Sequence, residues 1–225
     1  MLRMEENGGT YRKGMVEVDF KKIYDISMPI RKDMPVYKGK ESKRPIISTD
    51  SDFSTGAAYE TRLEMNLHTG THIDMPLHII PDGKTVETLE LKQVITNCKV
   101  FDLQLMEDKI TDKDLIGRNI AEGDFILLKT RNSYEDILEK DYIFLDKTGA
   151  NYLSEQKVKG VGIDSLGIER SQPGHETHKI LLGLGIIILE GLRLKDIEEG
   201  EYLLFAAPIN VVGAEAAPIR AVLLK

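Results

Sequence analysis

His68 to His78 reads HTGTHIDMPLH, and it gathers three of the chain's five histidines, one aspartate and a turn-making glycine. Imidazole and carboxylate are ligands of first-row divalent metals, and two histidines with one acid leave positions open for water and substrate. His68, His72 and Asp74 fit that description. The order His-x3-His-x-Asp-x3-His is much rarer than a lone histidine pair. His78, just beyond the set, is a candidate proton carrier, because imidazole ordinarily titrates near neutrality.

Geometry dictates the shape of this segment. In a continuous strand, at about 3.3 Å per residue, His68 and Asp74 would stand roughly 20 Å apart, too far to share an ion whose bonds are about 2 Å. The chain must therefore bend between them. Upstream, Leu63, Met65 and Leu67 alternate with Arg62, Glu64, Asn66 and His68, which predicts a half-buried strand. Gly70 is the expected bend, since glycine tolerates positive φ, and Thr69, Thr71 and Ile73 are β-branched and disfavour a helix. Pro76 restricts Met75 to extended geometry. The reading is a strand, a tight curl and a short extended piece.

A centre built on one local motif is usually completed from elsewhere. The remaining histidines, His175 and His178, lie in QPGHETHKILLGLGIIILEGL, where Pro173 and Gly174 mark a loop. Ile180 to Leu189 is almost wholly apolar and reads as a buried strand that ends at Glu190. An acid there is costly to bury unless it is paired or bound to a cation. The plainer readings are a solvated strand end for Glu190 and a structural or surface role for His178.

Together, HTGTHIDMPLH, GVGIDSLGIER (160–170), His178 twelve residues before Glu190, the closing GAEAAPIRAVLL (213–224) and DISMPIRKDMPVYKG (25–39) resemble the metal-dependent cyclase-type hydrolase family. That family includes bacterial kynurenine formamidase (arylformamidase) and isatin hydrolase, and the likeness runs from about Tyr24 to the C-terminus. The resemblance implies that His68, His72 and Asp74 bind a first metal, with Asp74 bridging to a second. It implies that His178 binds the second metal, that Glu190 is the other bridging carboxylate and that His78 is the acid/base. His175 receives no role and reads as a loop histidine.

The resemblance further implies a swivelling β/β/α architecture, one or two divalent ions, zinc or manganese, and a homodimer or higher homo-oligomer acting on a small molecule. The reaction implied is hydrolysis of an amide, either an aryl formamide such as N-formylkynurenine or a cyclic amide. Divalent ions lower the pKa of bound water toward neutrality and polarise the carbonyl, with His78 moving the proton. A catalytically silent metal-binding or interaction protein of the same fold is the alternative.

Departures from the family pattern bear on the substrate. Kynurenine formamidases tend to carry a substrate-stacking tryptophan in the stretch matching PVYKG; this chain has no Trp, and Tyr37 stands there as the substrate-binding candidate. Phe53 and Tyr59 also precede the motif. In the closing motif Gly213 is followed by Ala214, Glu215, Ala216, Ala217 and Pro218, where the family usually has an acid, Gly, Ser and Pro. Leu166 and Gly167 replace a proline and serine.

At 225 residues and 41% hydrophobic content, the chain is expected to form one β-rich α/β domain over 21–225 behind a loose extension at 1–20. No apolar run reaches membrane-span length and no signal peptide is evident, so a cytoplasmic location is expected. A net charge of −7 argues against a nucleic-acid surface. The lone Cys98 reads as a buried small residue before a strand at Lys99 to Leu103, and ITNCKVFD supplies neither the glycine elbow nor the base of a nucleophilic site. Glycine-rich phosphate-loop spacings are absent. A helix is expected over Thr85–Ile95 and another over Gly149–Lys157. Strands are expected at Val100–Leu105, Asp124–Thr130 and Gly160–Asp164.

Overall fold

The structure, a computed structural model, describes residues 22–135 and 137–225, so the extension expected at 1–20 lies outside the described residues. Its strands are β1 (Ile23–Asp25), β2 (Ile46–Ser51), β3 (Glu60–Glu64), β4 (His72–Asp74), β5 (Ile95–Asp102), β6 (Lys109–Ile110), β7 (Phe125–Lys129), β8 (Phe144–Leu145), β9 (Gly160–Ile163), β10 (Ile187–Glu190), β11 (Gly200–Phe205), β12 (Ala216–Pro218) and β13 (Val222–Leu224). Helices α1 (Asp112–Leu115), α2 (Lys147–Glu155) and α3 (Glu176–Gly183) punctuate them. The fold is mixed α/β and mostly strand, as expected.

Nine strands make one sheet in the order β1-β13-β11-β5-β7-β9-β10-β4-β12. Its centre, β5 through β10, is parallel, and both flanks are antiparallel. The central strands are buried on both faces, as parallel strands usually are. Phe125 and Leu127 of β7 enter one core cluster, whereas Ile126 and Leu128 enter the other, beside Ala150 and Leu153 of α2 and Leu181 and Leu182 of α3. Gly160 on β9 exists to admit Phe125: a Cβ there would lie 2.2 Å from the ring. Helix α2 starts where the Asp146 carboxylate accepts from the Thr148 and Gly149 amides.

Four expectations are corrected. The strand predicted to run into His68 ends at Glu64, and β3 is exposed along its whole length, pairing only with β2 in a two-stranded ribbon. Alternation there reflects a ribbon in solvent and not a core face; Leu63 remains 51% exposed. Thr85–Ile95 is not a helix but two 3-10 turns, Val86–Thr88 and Leu91–Gln93, separated by an extended Glu90. Its β-branched residues disfavour helix, and burial of Val86 and Val94 sets the turns. The apolar run Ile180–Leu189 divides into the end of α3 and β10, broken at Gly185 with φ +73°. Finally, β5 begins at Ile95 and ends at Asp102, so Cys98 lies inside it. The strand near 124–130, the helix near 149–157 and the strand near 160–164 stand where expected, within one or two residues at their ends.

Candidate metal centre

Strand β4 is the frame of the site. It lies between β10 and β12, with Glu190 opposite His72 and both Ile188 and Ala216 opposite Asp74. The curl that leads into β4 turns at Gly70, φ +75°. A Cβ on Gly191 would sit 2.2 Å from the Gly70 carbonyl oxygen, so this backbone crossing requires glycine. Thr71 pins the crossing, donating to the Gly191 carbonyl at 2.7 Å and accepting from the Met28 amide at 2.6 Å. His68 is set by an Asx turn, its amide donating to Asn66 Oδ1 at 3.0 Å. Pro76 opens a 3-10 turn, Pro76–His78, that carries His78.

The structure brings His68, His72, Asp74, His78, His178 and Glu190 into one cluster. The two oxygens of Asp74 divide it. His68 Nδ1 and His72 Nε2 lie 2.9 and 3.4 Å from Asp74 Oδ1. His178 Nε2, from α3, lies 3.5 Å from Asp74 Oδ2 and 3.4 Å from Glu190 Oε1. Glu190 Oε2 returns to His72 Nε2 at 3.4 Å. The His78 ring stands 4.1 Å from that of His68 and 5.3 Å from that of His178, centroid to centroid.

Burial of this much polarity requires compensation. His72, Asp74, His178 and Glu190 are all buried, yet His72 Nε2 and both Asp74 oxygens have no properly directed hydrogen bond. Unsatisfied buried charges are costly. Burial opposes a charged His72, but Asp74 and Glu190 hold its pKa up at about 10. Against the same burial, the surrounding histidines hold Asp74 well below the usual carboxylate range and Glu190 at about 2. His178 is likewise raised despite its burial, by Asp74, Glu169 and Glu190. Burial lowers the pKa of His78. The donor chemistry fits divalent cations: His72, Asp74 and Glu190 bring ligand atoms within 4.8 Å of one another, as do His68, Asp74 and His78, and Glu169, His175 and His178, while His72 Nε2 and both Asp74 oxygens lack a hydrogen-bond partner.

Two of the outer nitrogens are anchored as well. His72 Nδ1 donates to the Gly70 carbonyl at 3.0 Å, which leaves Nε2 for an ion. His68 Nε2 hydrogen-bonds with Glu215 Oε1 at 3.2 Å, whereas His178 Nδ1 lies 2.9 Å from Glu169 Oε1 without a directed hydrogen bond. Partners of this kind fix ring orientation in metal sites. Sequence reading missed both glutamates, although each lay inside a quoted segment, GVGIDSLGIER and GAEAAPIRAVLL. His175 lies in the loop just before α3, in a left-handed conformation that sets its Nδ1 2.7 Å from Glu169 Oε1.

A pocket of about 140 Å³ opens over the cluster. His68, His78, His178 and Glu190 form its floor, with Leu166 and Gly167, the residues that depart from the family pattern, on its wall. Tyr37 also lines it, its ring 6.5 Å from Tyr142. Lys43 lines it too; burial lowers its pKa, opposed by Glu190. Cys98 lies elsewhere, buried in β5 with its thiol pushed up to about 12, unsuited to nucleophilic attack. Among the described residues, no helix is long and apolar enough to cross a membrane.

Comparison with known proteins gives a consistent answer. The sequence profile of the Cyclase family ("Putative cyclase") matches residues 24–170. The kynurenine formamidase of Bacillus cereus (strain ATCC 10987 / NRS 248) is 30% identical over 205 residues, 88% of this chain and 95% of that protein. A solved structure described as a potential metal-dependent hydrolase with cyclase activity superposes with a TM-score of 0.85 at 48% identity, covering 90% of this chain and 97% of the other. Isatin hydrolase A from Labrenzia aggregata shares the fold, with a TM-score of 0.79 at 21% identity over 90% of this chain and 93% of its own.

Proposed function

The chain belongs to the Cyclase family, and from that premise we propose that it is a metal-dependent amidohydrolase cleaving a C–N bond other than a peptide bond. The observation that carries this reading is the division of Asp74, whose two buried oxygens each face histidine nitrogens without a directed hydrogen bond. In this reading His68, His72 and Asp74 hold one ion, and Asp74, His178 and Glu190 hold a second. Zinc or manganese suits the donor set. Once bound, a divalent ion supplies an acidified water and a Lewis acid for the amide carbonyl.

The residues do the rest. His78 borders the pocket and, with its pKa lowered by burial, is neutral at working pH, so it can accept a proton from the attacking water. As the C–O bond forms and the C–N bond breaks, His78 returns that proton to the leaving nitrogen, and the products are an amine and a carboxylic acid, which ionises by releasing its remaining proton to solvent. Glu215 orients His68 through a hydrogen bond, and Glu169 stands beside His178 as a counter-charge. Tyr37 offers its ring to a flat substrate, and an aryl formamide or cyclic amide is the preferred class; the related Bacillus protein bears the name of a kynurenine formamidase. A silent metal-binding protein would have no need of an accessible histidine beside the ligands.

We further propose a homodimer or higher homo-oligomer acting in the cytoplasm. The β2–β3 ribbon exposes Ile46, Phe53, Tyr59 and Leu63, a patch suited to a second copy, and a free thiol at Cys98 suits a reducing compartment. Light scattering tests the first point.

Metal analysis of protein purified without added ions, beside a screen of N-formyl arylamines and cyclic amides, tests the main reading. Chelation is expected to abolish turnover and zinc or manganese to restore it. Full activity in exhaustively chelated protein would overturn the proposal.

A further inference from the structure

Lys43 is the sole lysine or arginine among the pocket's lining residues. It ends the 3-10 turn Glu41–Lys43 and is half-buried. Its backbone is tied to the metal loop, since Thr69, the neighbour of His68, donates to the Lys43 carbonyl at 2.9 Å. The nearby acids on its own side are taken: Glu41 and Glu139 pair with Arg44. Among the described residues, the Lys43 ammonium has no carboxylate within ion-pair distance, and it stands 5.5 Å from the centre of the Tyr37 ring.

A half-buried cation with an aromatic face beside it but no carboxylate in reach is well placed to take up an anion. The carboxylates that act on Lys43 from across the pocket, Glu190, Asp74 and Glu215, each face a histidine, and Asp74 and Glu190 are the ones the proposed ions would claim. Loading the site therefore leaves Lys43 as an uncompensated positive charge on the wall of a small cavity. The small volume brings the ammonium, the Tyr37 ring and the cluster within reach of one ring-sized molecule.

We infer that Lys43 binds an anionic group, a carboxylate, carried by the substrate itself, so that the substrate is an acidic amide; this rests on the amide-hydrolase reading above for the bond that is cleaved. Tyr37 would receive the flat part of such a molecule, Lys43 its acid and the cluster its amide. A lysine ammonium, a compact point charge on a flexible stem, suits a single carboxylate.

The test compares N-formylanthranilate with formanilide, its neutral analogue, on metal-loaded wild type, Lys43→Met and Lys43→Arg. Lys43→Met is expected to raise KM for the acidic substrate by roughly tenfold, the scale of a lost charge-assisted contact, and by a clearly smaller factor for formanilide. Lys43→Arg, which keeps the charge, should restore most of the difference. Equal shifts for both substrates would overturn the inference and make Lys43 a general counter-charge to the cluster. Calorimetric titration with anthranilate and with aniline supplies a readout that needs no turnover. Anthranilate binding that weakens in Lys43→Met supports the inference even if neither formamide is hydrolysed, a result that would sink the hydrolase reading alone. Anthranilate binding indifferent to Lys43 overturns it.

Discussion

His72 and Glu190 face each other across the antiparallel pair β4 and β10, and their side chains meet at 3.4 Å, Nε2 to Oε2, on one face of a sheet that is buried here on both. Strand register therefore fixes two members of the cluster at once. A slip of β4 by one residue would turn His72 to the opposite face from Glu190.

Glu190→Gln and Asp74→Asn each remove a charge while nearly preserving shape. Both are expected to lower metal occupancy, Asp74→Asn the more strongly because its two oxygens face both triads. His175→Ala, at a side chain 55% exposed, should have a much smaller effect. Elemental analysis after dialysis against metal-free buffer measures this, and unchanged occupancy in Asp74→Asn would remove the aspartate from the centre.

His78→Ala separates proton transfer from binding. It should retain most metal and lose roughly a hundredfold or more in kcat, the usual contribution of general acid–base catalysis. His68, Asp74 and His78 can also bring ligand atoms within 4.8 Å of one another. Loss of metal together with activity would thus reassign His78 as a ligand.

Acidity gives a third prediction. In the metal-free chain His72 is raised from 6.5 to about 10, so its cation stabilises the fold fully below 6.5 and ceases to do so as pH rises through about 10. Glu190, lowered from 4.5 to about 2, stabilises above 4.5 and ceases to as pH falls through about 2. The Tm of metal-free protein should accordingly fall as pH rises from neutrality toward the raised His72 value. At neutral pH, loading must displace the histidine protons, so metal affinity should increase with pH. Calorimetry in buffers of different ionisation heats would count the protons released, and a count of zero contradicts the protonated cluster.

Tyr37→Ala should raise KM several-fold for an aromatic substrate and much less for an aliphatic analogue, since stacking contributes on the order of 1 kcal/mol. Equal effects on the two would leave Tyr37 as a packing partner of Tyr142 only.

Gly191→Ala should disturb the centre without touching a ligand. Its methyl would meet the Gly70 carbonyl at 2.2 Å, at a residue whose φ is +70°. Reduced metal affinity and a lowered Tm are expected together; a variant with wild-type values of both would show that the crossing can relax.

Much of the cluster was legible because HTGTHIDMPLH is local, and Gly70 could be read as the bend from glycine's backbone freedom alone. Glu169 and Glu215 were not singled out, because a carboxylate that orients a histidine needs no fixed spacing from it: Glu215 reaches His68 across 147 positions. Lys43 was invisible for the same reason, being defined by the absence of a neighbour. The misread elements share a cause in apolar pattern without context. Leu63 belongs to a ribbon that leaves the sheet, and the run from Ile180 to Leu189 holds enough hydrophobicity for a helix end and a strand, divided by a glycine turn.

The insertion of β4 between β10 and β12 has a consequence for biosynthesis. His68, His72 and Asp74 leave the ribosome long before His178 and Glu190, and β12, which closes the other side of β4, comes later still. A growing chain therefore carries only part of the cluster, without the strands that bury it. The cluster is complete only when synthesis is nearly finished, once β10 and β12 can pair on either side of β4.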